Sequence, residues 1–194
     1  ERYPEGSATA AWSVAAGNGD AAGGENNLPL LSRTPPHRLY YSFDYESLHV
    51  LVLATQARMA TLNSTRDAEA QLAFAENDLR RAAAPAARRA RPWLIVVAHR
   101  PLYDSTRRGG TSGASHERKT RAMRAALLPL FHRYGVDVVL SGHSHNYERT
   151  HMLTWRSLHP NTVAATDAIS SHNERITPYY GHDRGTIFAV VGTG

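Results

Sequence analysis

The stretch Trp93-Leu-Ile-Val-Val-Ala-His-Arg-Pro101 decides the fold, because a run of six apolar residues ends abruptly in polar ones. A short run of this kind, rich in β-branched side chains, is typical of a strand that is buried on both faces of a sheet. A second run, Val136-Asp-Val-Val-Leu-Ser141, has a similar character and leads into Gly142-His-Ser-His145. Both predicted strands therefore end in histidine.

The segments on either side carry the periodicity of further strands and of two helices. In chain order, the sequence predicts strands Leu39–Tyr45 and Leu48–Ala54, a helix from near Asp67 to Pro85, strand Trp93–Ala98, helix Glu117–Tyr134, and strands Val136–Ser141 and Thr186–Val191. Strands that alternate with helices, with central strands that are apolar throughout, predict an α/β layered domain.

The length of 194 residues fits one domain, with a loop-rich lead-in over residues 1–38 and an α/β core over 39–194. No apolar run approaches the roughly 20 residues of a membrane-spanning helix, and Glu1 does not open a secretory signal, so no membrane partner is expected. The chain has no cysteine, which excludes disulfides and thiolate ligands. Any metal must be held by the 11 histidines or by carboxylates and amides.

The positive charge comes almost entirely from arginine. Against 17 acidic residues stand 22 basic ones, of which only Lys119 is a lysine. The Arg80–Arg91 region carries five arginines and would attract phosphates or nucleic acid if it formed an open patch. No interleaved aromatic residues or nucleic-acid-binding motif accompany it, so nucleic acid is not expected as a partner.

Histidines at the two strand ends are the candidate site. Functional groups in α/β sheets gather at the carboxyl ends of strands, where His99, His143 and His145 are expected to converge. In an extended segment His143 and His145 point to the same side and would serve neighbouring metal ions. Neutral imidazole suits zinc, iron and manganese, so the sequence predicts a metal site.

These motifs carry a family resemblance. The segments Trp93-Leu-Ile-Val-Val-Ala-His-Arg-Pro-Leu-Tyr103 and Val136-Asp-Val-Val-Leu-Ser-Gly-His-Ser-His-Asn-Tyr-Glu-Arg149 resemble two metal-ligand motifs of the purple acid phosphatases, which are calcineurin-like metallophosphoesterases. Flanking segments agree with this resemblance, which covers nearly the whole chain. It implies a two-sheet β sandwich flanked by helices, with a dinuclear metal site at the strand ends.

The resemblance also implies roles for single residues. His99 and His143 would bind the second metal and His145 the first, the pair being iron plus iron, zinc or manganese. A metal-bound hydroxide would attack the phosphorus of a small-molecule phosphate monoester. His116 is a weak candidate for contacting substrate. Relatives are largely secreted or vacuolar/lysosomal, and Asn63-Ser-Thr65 is a glycosylation sequon for a glycoprotein.

Other ligand motifs of that family are not recognised ahead of His99. These are D-x-G, G-D-x-x-Y and G-N-H-[ED], which supply the bridging aspartate, a tyrosine and an asparagine ligand. The chain is therefore expected to be a fragment, the C-terminal part of a catalytic domain with an incomplete fold, and to be inactive by itself. The alternative is a non-catalytic remnant or binding module of the same fold.

Overall fold

The computed structural model describes residues 40–55, 66–105, 113–153 and 185–192 of the chain. Within these ranges the strands are β1 (Tyr41–Tyr45), β2 (Leu48–Leu53), β3 (Trp93–Ala98), β4 (Val138–Ser141), β5 (Tyr147–Arg149) and β6 (Ile187–Val191). The helices are α1 (Arg66–Ala82), α2 (Pro85–Ala90) and α3 (Gly113–Tyr134). The predicted lead-in, the sequon and residues 154–184 lie outside the described residues.

The strands form one mixed sheet in the order β1-β2-β3-β4-β6-β5 within the described part of the chain. Strands β2, β3, β4 and β6 are parallel, while β1 and β5 pair antiparallel with β2 and β6 at the two edges. The sheet with its flanking helices confirms the predicted α/β metallophosphoesterase-like class. The described residues form a single layer of strands rather than both sheets of a sandwich.

The main core lies between the sheet and helices α1 and α3. It is built from strand residues such as Leu51, Val96 and Phe188 together with helix residues such as Leu79 and Phe131, all of which are buried. The apolar run of β3 alternates sides, and its other side joins a smaller cluster around Val50 and Val52. The central strands therefore have apolar side chains on both faces, which explains why their sequences are continuously hydrophobic.

Two elements were not foreseen. Helix α1 ends at Ala82, three residues before the predicted Pro85, and Pro85 starts α2, where its fixed φ and missing N–H suit the first helical turn. The arginine-rich segment is thus helical rather than a simple connector. Strand β5 was missed because three residues are too few to show a periodicity.

Arginines of the Arg80–Arg91 region are engaged by neighbouring side chains. Arg88 pairs with Asp137 at 2.8 Å and Arg81 pairs with Asp78 at 2.9 Å. Arg91 reaches Asp44 at 3.3 Å. Much of the local charge is therefore balanced within the fold.

Among the described helices, none has both the length and the apolarity needed to cross a membrane.

Candidate metal site

The parallel pairing of β3 with β4 brings two of the predicted ligands together. Ala98 lies opposite Ser141 in the register, so the residues that follow each strand leave the sheet side by side. The His99 Nε2 and His143 Nδ1 atoms are 3.2 Å apart. The two rings meet edge to face, with centroids 5.0 Å apart and an angle of 76° between their planes. This juxtaposition was predicted from the strand ends alone.

The backbone around His143 is turned into an unusual conformation. His143 has φ of 67°, in the left-handed region that few non-glycine residues adopt. The preceding Gly142 donates its N–H to the carbonyl of His99 at 3.1 Å. The left-handed residue of this turn is therefore His143 and not the glycine before it. Such conformations persist only where the surroundings hold them, and they cluster at functional sites.

His145 lies on the same loop but in a different setting. The loop turns twice, since Ser144 donates its N–H to the carbonyl of Gly142 at 2.8 Å and Asn146 donates to that of Ser144 at 2.9 Å. It is therefore not extended, and the argument that an extended segment aligns His143 with His145 is wrong. His145 is exposed. No group of three or more histidine and carboxylate side chains in metal-binding geometry occurs among the described residues.

The His99–His143 pair nevertheless fits a metal ion. Imidazole nitrogens bind zinc at about 2.0–2.1 Å, so two of them on one tetrahedral ion lie about 3.3–3.4 Å apart. The observed 3.2 Å between His99 Nε2 and His143 Nδ1 is close to that separation. Imidazole is also a suitable donor for iron and manganese. The distance between the two nitrogens is thus compatible with a pair of ligands to one cation.

Hydrogen bonds between polar side chains tie the two histidine-bearing loops to each other. The Ser144 hydroxyl donates to Asp104, which follows His99 by five residues. The Ser105 N–H lies 3.1 Å from each carboxylate oxygen of Glu148, and its hydroxyl also donates to Glu148. Sequence reasoning missed all four residues. Ser144 and Glu148 lie within the quoted motif and Asp104 and Ser105 follow the other one, but short polar residues are common in loops, so nothing in the sequence assigned them these contacts.

Burial changes the charge balance beside the site. Burial and then the negative charge of nearby Asp104 raise the pKa of Glu148, while the hydrogen bonds from Ser105 oppose them. Burial lowers the pKa of the Arg100 guanidinium. The backbone N–H of Arg100 donates to the Thr55 hydroxyl at 2.7 Å. The loop after His99 therefore carries groups that are partly withdrawn from water.

Tyr103 and Arg124 fix the far side of the His99 loop. The Tyr103 ring packs edge to face on Phe188, with centroids 4.8 Å apart, and the Arg124 guanidinium lies 5.5 Å from its centre. Burial raises the pKa of Tyr103 to about 12, with Arg124 opposing, so the phenol stays neutral near neutral pH. Arg124 also donates to the carbonyl of Leu102 at 3.0 Å. These contacts anchor the loop to α3 and β6.

The remaining candidate, His116, falls within the bounds of α3. Its side chain lies outside the described part of the structure, so its predicted contact with substrate stays a prediction. The glycine at position 192 was not foreseen as part of the site. A Cβ there would lie 1.9 Å from the carbonyl oxygen of Ser144, so only glycine fits beside the His143–His145 loop.

A cluster of one histidine and two aspartates lies at the opposite end of the parallel strands, where they begin. His49, near the start of β2, lies 2.7 Å from an Asp44 oxygen through Nδ1 and 2.8 Å from an Asp78 oxygen through Nε2. A cleft of about 300 Å³ opens beside these three residues and is also lined by Arg81 and Arg91. Both ring nitrogens are occupied by carboxylates, so His49 presents no nitrogen for a metal.

Comparison with known proteins places the chain among phosphoesterases. The profile described as calcineurin-like phosphoesterase matches residues 8–147. Mouse (Mus musculus) acid phosphatase type 7 is 33% identical over 114 residues, covering 57% of this chain and 26% of the mouse protein. The Arabidopsis thaliana protein named probable inactive purple acid phosphatase 27 is 33% identical over 156 residues, covering 80% of this chain and 21% of its own length.

A solved structure shows the same likeness. The purple acid phosphatase PPD1 from yellow lupin (Lupinus luteus) seeds superposes with a TM-score of 0.59 and 30% identity over 91% of this chain and 27% of the lupin chain. The chain spans about a quarter of the length of the relatives it matches. The profile match extends over well over half of the sequence, and the fold carries histidine loops at the expected strand ends. The chain therefore belongs to the calcineurin-like phosphoesterase family.

Proposed function

We propose that this chain is part of an enzyme that hydrolyses phosphate monoesters, such as small-molecule acid phosphatase substrates, at a dinuclear metal centre. The observation that carries the proposal is the 3.2 Å separation of His99 Nε2 and His143 Nδ1 at the carboxyl edge of the sheet. Relatives named acid phosphatase and purple acid phosphatase support phosphate-ester hydrolysis as the reaction.

In this proposal His99 and His143 hold one cation, and His145 contributes to the neighbouring one. The metals would be iron together with iron, zinc or manganese. When bound, such a pair lowers the pKa of water to supply a nucleophile and neutralises charge on the phosphoryl oxygens. His145 is exposed, which leaves its imidazole accessible to further ligands and to solvent.

The chain's own contribution is to place the ligands before metal arrives. The left-handed conformation of His143 turns its ring toward His99. A hydrogen bond from the Gly142 N–H to the His99 carbonyl holds the two loops together. Preorganised ligands lose little conformational freedom on binding, so the sheet edge contributes to metal affinity through rigidity. The location we propose for the mature protein is secreted or vacuolar/lysosomal.

Hydrolysis of a monoester also requires ligands beyond the three histidines. The bridging carboxylate that the family resemblance implies is not recognised ahead of His99, and an anion of that kind is what keeps two cations close together. We therefore expect the 194-residue chain by itself to bind metal weakly and to turn over little or no phosphate ester.

The test compares the 194-residue chain with the polypeptide encoded by the complete reading frame that contains it. Each is loaded with iron plus zinc or manganese and assayed with p-nitrophenyl phosphate, a monoester, and with bis(p-nitrophenyl) phosphate, a diester. We expect the longer polypeptide to prefer the monoester and His143→Ala to reduce kcat/KM by at least about 100-fold. His132→Ala, which removes an exposed histidine of α3, serves as the matched control.

Two results would contradict the proposal. Preference for the diester would remove the monoester assignment, and unchanged turnover in His143→Ala would remove the site. Robust turnover by the 194-residue chain would contradict only the expectation that this chain is inactive by itself.

A second candidate is a non-catalytic binding module of the same fold. The observation that favours it is the match to a relative named probable inactive, which covers 80% of this chain. This reading predicts that the longer polypeptide folds and yet shows no metal-dependent turnover of either ester.

A further inference from the structure

Two loops carry the histidines of the site, and polar side chains connect them away from the rings. We call residues 99–105, which follow β3, the first loop, and residues 142–146, which follow β4, the second loop. Ser144 of the second loop donates its hydroxyl hydrogen bond to Asp104 of the first. Ser144 stands between His143 and His145, so this bond acts on the residue that both candidate ligands share as a neighbour.

Ser144 is held from several directions. Its side chain is buried, with 1% of the residue exposed. Its N–H donates to the Gly142 carbonyl at 2.8 Å, and its own carbonyl accepts from Asn146 at 2.9 Å. The backbone of Gly192 packs so closely on the Ser144 carbonyl that a Cβ would lie 1.9 Å from it. A residue this confined transmits any displacement of its hydroxyl partner to the adjacent backbone.

The backbone next to Asp104 is held through Ser105, the residue that follows it. The N–H of Ser105 lies 3.1 Å from both oxygens of Glu148, and the Ser105 hydroxyl donates to the same carboxylate. Glu148 belongs to β5, is 9% exposed, and pairs with Val190 in the sheet. Glu148 in the sheet therefore holds Ser105, Ser105 is the chain neighbour of Asp104, and Asp104 accepts the hydrogen bond from Ser144 in the second loop.

We propose that Asp104 is a positioning residue for the metal-binding histidines: through Ser144 it fixes His143 against His99, with Glu148 anchoring it to the sheet. This inference rests on the proposed function only in taking His99 and His143 as metal ligands. Partners that orient ligands in this way typically change metal affinity by about 10–100-fold when they are removed.

The chemistry of the bond supplies matched variants. Asp104→Ala removes the acceptor, whereas Asp104→Asn keeps a carbonyl oxygen that accepts the Ser144 hydroxyl. Ser144→Ala removes the donor from the other side with the loss of a single atom. Glu76→Gln is the control, because that carboxylate is exposed and pairs with Arg133 on the surface of α1 and α3.

The first readout is zinc affinity of the folded 194-residue chain, measured by competition with a chromophoric chelator. We expect Asp104→Ala and Ser144→Ala each to raise the Kd for zinc about 10-fold, and Asp104→Asn to stay within about threefold of the unsubstituted chain. Glu76→Gln should leave the Kd unchanged. Wild-type affinity in a folded Ser144→Ala variant would overturn the proposal.

The second readout needs no metal. In the metal-free chain, the contact between the His99 and His143 rings predicts nuclear Overhauser effects between their ring protons. We expect these to weaken or vanish in Asp104→Ala and Ser144→Ala and to remain in Asp104→Asn. Retention of the ring contact in both former variants would overturn the proposal even if they were less stable to heat.

The two readouts separate this proposal from the proposed function. If the unsubstituted chain binds no zinc, the ring contact in the metal-free variants still decides whether Asp104 positions the histidines. If Asp104→Ala does not fold, Ser144→Ala gives the same decision with a smaller change.

Discussion

The parallel strands begin at one side of the sheet, its amino edge, and end at the other, its carboxyl edge. Histidines at these two edges have different partners. At the amino edge, His49 directs both ring nitrogens to carboxylates, at 2.7 Å to Asp44 and 2.8 Å to Asp78. At the carboxyl edge, His99 and His143 direct ring nitrogens toward each other at 3.2 Å. The first arrangement favours a charged imidazolium, whereas in the second the two ring nitrogens face each other at a hydrogen-bonding distance.

The difference teaches how a position in the sheet sets the role of a histidine. Asp78 comes from α1, which packs against β2, so the amino edge is closed by a helix that supplies a counter-charge. The carboxyl edge is formed by loops that leave adjacent parallel strands, and such edges bind ligands in α/β sheets. His49 thus joins a strand to a helix, whereas His99 and His143 lie side by side where two strands end.

The largest effect is expected from breaking the amino edge. Asp78 is 1% exposed at its side chain and also accepts from the Ser42 hydroxyl at 2.7 Å. Asp78→Ala leaves His49 without its buried partner, and the free energy of unfolding should fall by roughly 3–5 kcal/mol. Urea denaturation measures this loss.

Asp44→Ala is the matched comparison, because that carboxylate is 45% exposed and its loss should cost less than 1 kcal/mol. Zinc affinity of the folded Asp78→Ala variant should be unchanged. A weaker zinc affinity in that variant would show that the two edges are not independent.

The pH dependence of stability should also distinguish the edges. Burial alone would lower the pKa of His49, but the hydrogen bonds and charges of Asp78 and Asp44 outweigh it and raise that pKa. Burial alone would raise the pKa of Asp78, but hydrogen bonds from His49 and Ser42 and the His49 charge lower it. The interaction between charged His49 and charged Asp78 is therefore fully formed at pH values between the lowered pKa of Asp78 and the raised pKa of His49.

The sign of the two shifts fixes the window. Stability from His49 is fully present below its ordinary pKa of about 6.5 and is lost as the pH rises through its raised pKa. Stability from Asp78 is present above its ordinary pKa of about 3.9 and is lost as the pH falls through its lowered pKa. We expect His49→Gln to flatten the alkaline fall in the unfolding free energy. An equally steep fall in that variant would contradict the assignment.

The smallest effect is expected from relieving the carboxyl edge. His143 adopts φ of 67°, which costs a side-chain-bearing residue about 1 kcal/mol relative to glycine. His143→Gly should therefore raise the unfolding free energy by up to about 1 kcal/mol while removing a ligand, so stability and zinc affinity would move in opposite directions. His132→Gly in α3 is the control and should destabilise, because glycine is unfavourable within a helix. A less stable His143→Gly would show that the ring has a structural role.

Much of this fold follows from local sequence. The runs of β2, β3 and β4 are apolar on both faces, so they are recognisable without tertiary information, and the strand Trp93–Ala98 was predicted with its observed bounds. Helix α3 begins four residues earlier than predicted, at Gly113, because a glycine- and serine-rich start gives no apolar period. Residues Tyr147–Arg149 form a strand only because β6 lies alongside.

The candidate site was predictable only in part. That His99 and His143 would meet follows from two buried parallel strands with neighbouring ends. The left-handed turn at His143 and the links from Asp104 and Glu148 depend on how the loops pack, and no sequence period signals them. The Asp44–His49–Asp78 cluster joins a strand to a helix 29 residues away, so it also required tertiary placement.

One measurement tests most directly the claim that the carboxyl-edge histidines bind metal and the amino-edge histidine does not. Long-range ¹H–¹⁵N correlation spectra resolve histidine ring nitrogens, and zinc is titrated into the chain while these are followed. We predict that the resonances of His99 Nε2 and His143 Nδ1 shift with zinc, while both nitrogens of His49 remain those of a carboxylate-bound imidazolium. Zinc-dependent shifts at His49, or none at His99 and His143, would contradict the account.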